Sequence, residues 1–134
     1  MLFVNDEEAP LLTGEADLVR AAETLLTYGP SRAIIKLGSK GAFSLDANGR
    51  FALPAYHTDT VVDPTGAGDV FAGALMGYLA AEGDDSDAAF RRALMYGTAI
   101  ASYAVEGFGF SRLADVTRDM IERRFRTLSE AVAG

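Results

Sequence analysis

The chain contains no cysteine and a single histidine, His57, so a disulfide framework and a thiolate metal centre are excluded and a histidine-built metal site is not suggested. Lysine is nearly missing as well. Lys36 and Lys40 are the only two and fall in one short stretch, while the other basic residues are arginines spread along the chain. Twelve basic residues against nineteen acidic ones leave a net charge of −7, which argues against a nucleic-acid or anionic-membrane surface. No apolar run reaches the roughly 18 residues of a membrane span, and no signal peptide is visible, so a cytoplasmic protein is expected. What the 134 residues do contain is 49% hydrophobic side chains, enough for one core, and a single domain over 1–134 is expected.

One stretch organises the rest: Val61-Val62-Asp63-Pro64-Thr65-Gly66-Ala67-Gly68-Asp69-Val70-Phe71-Ala72-Gly73. β-Branched residues lead through a Pro/Gly turn into helical spacing at Phe71, Ala74, Leu75, Tyr78 and Leu79. A turn that opens a helix leaves backbone N–H groups without intrahelical partners, and with the helix dipole these form an anion site. Gly66 and Gly68 let backbone approach a ligand with no Cβ in the way. Asp69 falls in the first turn, where a negative charge is favoured and can accept a proton. An anion cradle beside a carboxylate suits phosphoryl transfer to a hydroxyl. Two other glycine-rich readings fail: position 71 is Phe, which breaks G-x-G-x-x-G and with it a dinucleotide-dependent dehydrogenase, and no G-x-x-x-x-G-K-[ST] occurs.

Asp63-Pro-Thr-Gly-Ala-Gly-Asp69-Val-Phe71 resembles the carboxyl-terminal signature of the PfkB/ribokinase-like carbohydrate kinases, D-[TP]-T-G-A-G-D-x-F. The resemblance implies an α/β, three-layer ribokinase-like fold, of which this chain is the carboxyl-terminal portion: a mostly parallel sheet flanked by helices, with a β-hairpin. It implies Asp69 as general base, with Gly66, Ala67, Gly68 and Asp69 supplying the backbone anion hole. Asp63 and Thr65 would help hold a monovalent cation such as K⁺; a turn role for Asp63 before Pro64 is the other reading.

The chain opens with Met1-Leu2-Phe3-Val4, read as a short buried strand, and Asn5-Asp6-Glu7-Glu8 follows. Polar residues just past a strand's carboxyl end lie where open α/β sheets bind ligands. Asn5-x-x-Glu8 is similar to the family's N-x-x-E motif, which implies ordering of Mg²⁺ largely through metal-bound water; the alternative is a helix cap. Glu15 to Tyr28 has helical spacing (Leu18, Ala22, Leu25, Leu26), closed by Gly29-Pro30, and Arg32 to Leu37 reads as a strand. Lys36-Leu-Gly38-Ser39-Lys40-Gly41-Ala42 resembles the family's nucleotide loop, [TK]-x-G-x-x-G-[AV], and is also a glycine turn between strands; either lysine could meet phosphate. Ala42–Leu45 and Arg50–Leu53 flank a hairpin turn at Asp46-Ala-Asn48-Gly49.

A helix is expected from Ala67 to about Glu82, with Gly73 and Gly77 on nearly one face and so packed closely against a neighbour. Ser86-Asp87 caps a helix from Ala88 to about Val105, rich in small residues around Gly97 that suit close packing and, by the resemblance, adenine. Residues 105–111, with Gly109, match loosely the place of a family loop near cation and adenine. Asp115 to about Val132 reads as an amphipathic helix for core packing and oligomerisation.

The resemblance thus implies an ATP- and Mg²⁺-dependent sugar kinase, or a nucleoside kinase, acting on a small carbohydrate or nucleoside with no nucleic-acid or membrane partner. Members of the family are about twice this long, and the half with the acceptor's glycine pair and the lid is not found. A fragment, a split subunit or a misplaced start is therefore expected, as are a homo-oligomer or an amino-terminal partner chain. A non-catalytic nucleotide-binding module is the reading from another class.

Overall fold

The computed structural model describes residues 1–58, 66–107 and 112–133. Asp63, Thr65 and Gly109, and the β-branched pair Val61-Val62, lie outside them. The chain divides into two compact units, Met1–Ala55 and Tyr56–Gly134, each with its own internal contacts.

The first unit is a four-stranded sheet, in the order β1 (Leu2–Asn5), β2 (Arg32–Lys36), β3 (Ala42–Asp46) and β4 (Gly49–Leu53), with helices α1 (Glu8–Thr13) and α2 (Leu18–Leu26). β1 and β2 run parallel, while β2–β3 and β3–β4 are antiparallel. Among the described strands the sheet is therefore mixed: one parallel pair, the expected β-hairpin of β3 and β4, and the antiparallel pair that joins them. Its turn forms where the sequence placed it: the Asn48 N–H donates to Asp46 Oδ1 at 2.8 Å, and Gly49 takes φ 127°, a conformation L side chains rarely adopt. Arg32 on β2 reaches Asp46 on β3 at 3.3 Å, tying the far end of the hairpin to its neighbour.

α2 begins three residues later than its hydrophobic spacing suggests because Asp17 caps it, Oδ1 accepting from the N–H groups of Val19 (2.9 Å) and Arg20 (3.1 Å). Its apolar side carries Ala21, Ala22 and Leu25, packed with Ala33, Ile35, Val4 and Phe43 in one cluster. α1, unforeseen as a separate helix, adds Ala9 to that cluster and ends at Gly14, whose N–H bonds to the carbonyl of Pro10 at 2.8 Å.

The second unit is helical: α3 (Ala67–Glu82), α4 (Asp87–Ala104) and α5 (Arg118–Ala133). Ser86 caps α4, accepting from the Ala89 N–H at 3.2 Å. α4 is the central element, with Ala93, Gly97, Ala99, Ala101 and Ser102 all buried. Its small residues serve helix–helix contact: a Cβ on Gly97 would lie 3.2 Å from both the ring and the carbonyl oxygen of Phe71, the buried aromatic of α3.

That contact corrects the reading of Gly73 and Gly77. A Cβ on either meets nothing within 4 Å among the described residues. α3 presents bulky Phe71 and Leu75 to α4, so the small partner needed at the crossing is on α4, not on α3. α5 joins through aromatics: Tyr96 stacks between Tyr78 of α3 (centroids 4.9 Å apart) and Phe125 of α5 (4.1 Å). The Tyr96 hydroxyl donates to Glu122 at 2.8 Å; burial, then that carboxylate, pushes its pKa up to about 12. No helix among the described residues is long and apolar enough to cross a membrane.

Candidate functional site

In the first unit, two motifs 31 residues apart in sequence meet at one end of the sheet. The parallel register pairs Asn5 with Lys36, the last residues of β1 and β2, and the Asp6 N–H donates to the Lys36 carbonyl at 2.9 Å. Both chains turn away there, at the carboxyl end of parallel strands, which is the ligand-binding end of open α/β sheets.

Asn5 and Glu8 form a reciprocal box. Asn5 Oδ1 accepts from the N–H groups of Glu7 (2.9 Å) and Glu8 (2.7 Å), and Glu8 Oε1 accepts from the Asn5 N–H at 3.0 Å. The Asn5 amide oxygen is thus committed to backbone, and it orients Glu8. The second carboxylate oxygen of Glu8, an exposed residue, makes no hydrogen bond among the described residues and can face a metal-bound water. Among the described residues no group of three or more His, Cys, Asp or Glu gathers to ligate a metal directly. The box fits Mg²⁺ only through water, as that ion's reluctance to dehydrate allows.

The loop after β2 separates the two lysines. Lys36 is half-buried at the sheet end, and burial pulls its ammonium pKa below the ordinary value. Gly38-Ser39-Lys40 forms a single 3₁₀ turn, with the Lys40 N–H on the Leu37 carbonyl and the Gly41 N–H on the Gly38 carbonyl at 3.2 Å each, and the Leu37 N–H bridges back across the loop to the Gly41 carbonyl at 2.8 Å. Exposed Lys40 lines a cavity of about 390 Å³ with Leu37, Phe43, Leu53 and the second cation, Arg50.

In the second unit, Gly66 opens α3 with φ 84°, a left-handed conformation suited to glycine. The first intrahelical bond runs from the Val70 N–H to the Gly66 carbonyl at 3.0 Å, so the N–H groups of Ala67, Gly68 and Asp69 precede it, without carbonyl partners inside the helix. Asp69 lies exposed in that first turn. A Cβ at Gly68 would meet nothing within 4 Å among the described residues, so the glycine is not required by packing. The arrangement is a set of aligned donors and positive dipole with one carboxylate beside it. It can hold an anion and accept a proton next to it.

The sequence model of the pfkB family of carbohydrate kinases matches residues 1–115. The chain belongs to that family. Cytidine kinase of Thermococcus kodakarensis is 39% identical over 81 residues, covering 60% of this chain and 28% of the relative. The crystal structure of aminoimidazole riboside kinase from Salmonella enterica, complexed with aminoimidazole riboside and an ATP analogue, superimposes with a TM-score of 0.79 at 31% identity, over 92% of this chain and 41% of that one. An Escherichia coli protein assigned as a ribokinase II, in complex with ATP and Mg²⁺, gives 0.75 at 32% identity, over 94% and 39%. The fold is therefore ribokinase-like, and the chain spans between 28% and 41% of the length of these three proteins.

This pfkB-family chain also holds a polar cluster that no motif announces. Glu106, just past α4 and 8% exposed in its side chain, accepts from Thr58 Oγ1 (2.7 Å), Arg124 Nη2 (2.7 Å) and Arg112 Nε (3.1 Å). The Arg124 guanidinium lies 3.5 Å from the Tyr103 ring centre and 4.5 Å from that of Tyr56, and it donates to Ser102 Oγ at 2.8 Å. Residues 18 positions apart, on a helix end and on α5, gave no spacing signal.

Burial pushes the Glu106 carboxyl up, but the hydrogen bonds from Thr58, Arg124 and Arg112 more than offset this and hold it below its ordinary 4.5. A carboxylate with a depressed folded pKa contributes stability above the unfolded value, and loses it as pH falls through the folded one. The melting-temperature gap between wild type and Glu106→Gln is therefore expected to be widest at neutral pH and to close below pH 4.5. A gap that stays constant across that range would mean the charge contributes nothing.

Proposed function

We propose that the chain is the nucleotide-binding, catalytic portion of an ATP-dependent kinase that phosphorylates a hydroxyl of a small carbohydrate. The observation that carries this is the left-handed Gly66 turn opening α3 with Asp69 in its first turn, within the stretch that resembles the kinase signature. Asp69 takes the proton from the acceptor hydroxyl as its oxygen bonds to the γ-phosphorus, and the bond to the β–γ bridging oxygen breaks, releasing ADP. The N–H groups of Ala67, Gly68 and Asp69 hold the charge on the transferring group, preorganised by the helix and costing no reorientation.

The loop Lys36 to Gly41 is assigned to the nucleotide's phosphates, with Lys36, Gly38, Ser39 and Lys40 lining it. Asn5 and Glu8 would hold Mg²⁺ through water; bound there, the ion would neutralise phosphate charge. Asp63 and Thr65 are assigned to a monovalent cation and Gly109 to the adenine loop on the resemblance alone. Gly97, which also makes the close contact with Phe71, is assigned to the nucleotide on the resemblance alone.

A nucleoside as acceptor is the second reading, favoured by the likeness to a cytidine kinase and an aminoimidazole riboside kinase. A non-catalytic module that needs a partner chain is the third, favoured by the share of its relatives' length that the chain spans.

Calorimetric titration of ATP–Mg²⁺ into the 134-residue chain, with Gly68→Val alongside, is the direct test. Because a Cβ at Gly68 is sterically free, the valine chain is expected to fold with a nearly unchanged melting temperature while losing nucleotide binding. Equal binding by the valine chain would remove the cradle from the nucleotide site. Phosphate transfer to ribose but not cytidine, the converse, or to neither then separates the three readings.

A further inference from the structure

We propose that the cavity beside β4 is a ligand site of its own, separate from the nucleotide, for a small organic anion with a flat apolar body. Strand register builds its floor. Val4, Ile35, Phe43 and Ala52 lie in one row across the four strands, on the face that packs against α2. The first three are buried in the α2 cluster, while Ala52, at the end of the row, is exposed. The cluster thus reaches three strands and stops short of the fourth, where a methyl side chain leaves a hollow. Alternation along the chain puts Arg50, Ala52 and Pro54 on that same open face. Leu37 and Phe43 wall it on the side of α2, and the volume, about 390 Å³, is within the range of small-molecule sites.

The charge at the rim is of one sign. Lys40 and Arg50 are both exposed and line the cavity, and neither side chain has an ion pair or hydrogen bond among the described residues. Asp46 is the only acidic residue between Gly38 and Thr58, and it is engaged by Arg32 and by the Asn48 N–H. A chain of net charge −7 therefore sets two cations over an apolar hollow that no carboxylate lines. Apolar contact gives affinity for a flat body, and the cations select for negative charge. Both are carried by fixed backbone. Gly41 approaches the end of β4 so closely that a Cβ there would clash with the Leu53 carbonyl oxygen, which holds the loop bearing Lys40 against the strand. Arg50 stands opposite Leu45 in the hairpin register. Four residue rises of strand, roughly 13 Å, separate the two ends of the groove, a gap that long basic side chains can close around one small ligand. Lys40 then serves the cavity and leaves Lys36 for the phosphates of the kinase reading, on which this site does not depend.

The probe is bis-ANS, a fluorescent dianion with two sulfonates on flat apolar rings, titrated into the full chain. N-phenyl-1-naphthylamine, a neutral ring compound, and inorganic phosphate, an anion without an apolar body, are run beside it. Saturable binding of bis-ANS is expected, about tenfold or more tighter than the neutral compound, and phosphate should not displace it. Arg50→Gln removes a rim charge and Ala52→Phe fills the hollow; each should weaken bis-ANS about tenfold or more. Both positions are exposed and Phe suits a strand, so melting temperatures should stay near wild type. ATP–Mg²⁺ should leave the probe in place. Equal affinity for the neutral compound, displacement by phosphate alone, or wild-type affinity in either variant overturns the proposal. Displacement by ATP–Mg²⁺ overturns it too, because the cavity would then be part of the nucleotide site. The expected probe pattern in a chain that binds no ATP–Mg²⁺ would sink the kinase reading and leave the cavity site standing.

Discussion

Asp69→Asn is expected to lower phosphoryl transfer about 10³-fold, in whatever active form this chain takes, while leaving ATP–Mg²⁺ affinity within about twofold. The asymmetry follows from the division of labour at the start of α3. In the proposed mechanism the phosphate would be held by main-chain N–H groups and the helix dipole, neither of which the substitution touches. The proton would be accepted by the side chain alone, and an amide of the same shape has no basic oxygen to offer. Asp69 is exposed and belongs to no buried network among the described residues, so the fold should be indifferent to the change. Single-turnover rates read beside calorimetric affinities check both halves. Transfer at the wild-type rate would remove Asp69 as the base, and a parallel loss of ATP affinity would make it a binding residue.

Gly41→Ala is expected to cost about 3 kcal/mol or more of the first unit's stability, read from urea denaturation. A Cβ at Gly41 would sit 2.0 Å from the Leu53 carbonyl oxygen and 2.9 Å from Ala55 N and the Pro54 carbonyl carbon. All three are backbone atoms at the end of β4, so no side chain can swing aside, and φ is +101° besides. Gly49→Ala separates the two causes. Gly49 has φ +127° but nothing within 4 Å of its added Cβ among the described residues, so only the conformational cost of roughly 1–2 kcal/mol should appear. Equal losses at the two positions would mean the clash relaxes and backbone strain alone decides. Since Gly41 also closes the Lys36–Gly41 loop, a severe loss there ties the geometry of that loop to the register of the hairpin.

The local layout was legible in the sequence because short-range chemistry dictates it. Asp46-Ala-Asn48-Gly49 makes a hairpin turn, Ser86 caps α4, and Gly66 opens α3, each through backbone preferences or bonds spanning four residues or fewer, whereas α2 stops at Leu26 with Thr27 as its cap, ahead of Gly29-Pro30. The Asp17 cap is equally local, but the apolar spacing runs on from Glu15 without a break and hides it. The run of N–H groups that opens α3 is legible for the same reason: its donors are consecutive residues.

What depends on residues far apart in the chain was decided only by the tertiary structure. Asn5 and Lys36 become neighbours through the parallel register of β1 and β2, which no spacing encodes. Gly97, not Gly73 or Gly77, takes the close helix contact because the rotation of α3 turns Phe71 toward α4. Glu106 finds Arg124 only once α5 lies along α4, since opposite charges 18 residues apart attract no notice until burial strips their solvent and makes each need the other.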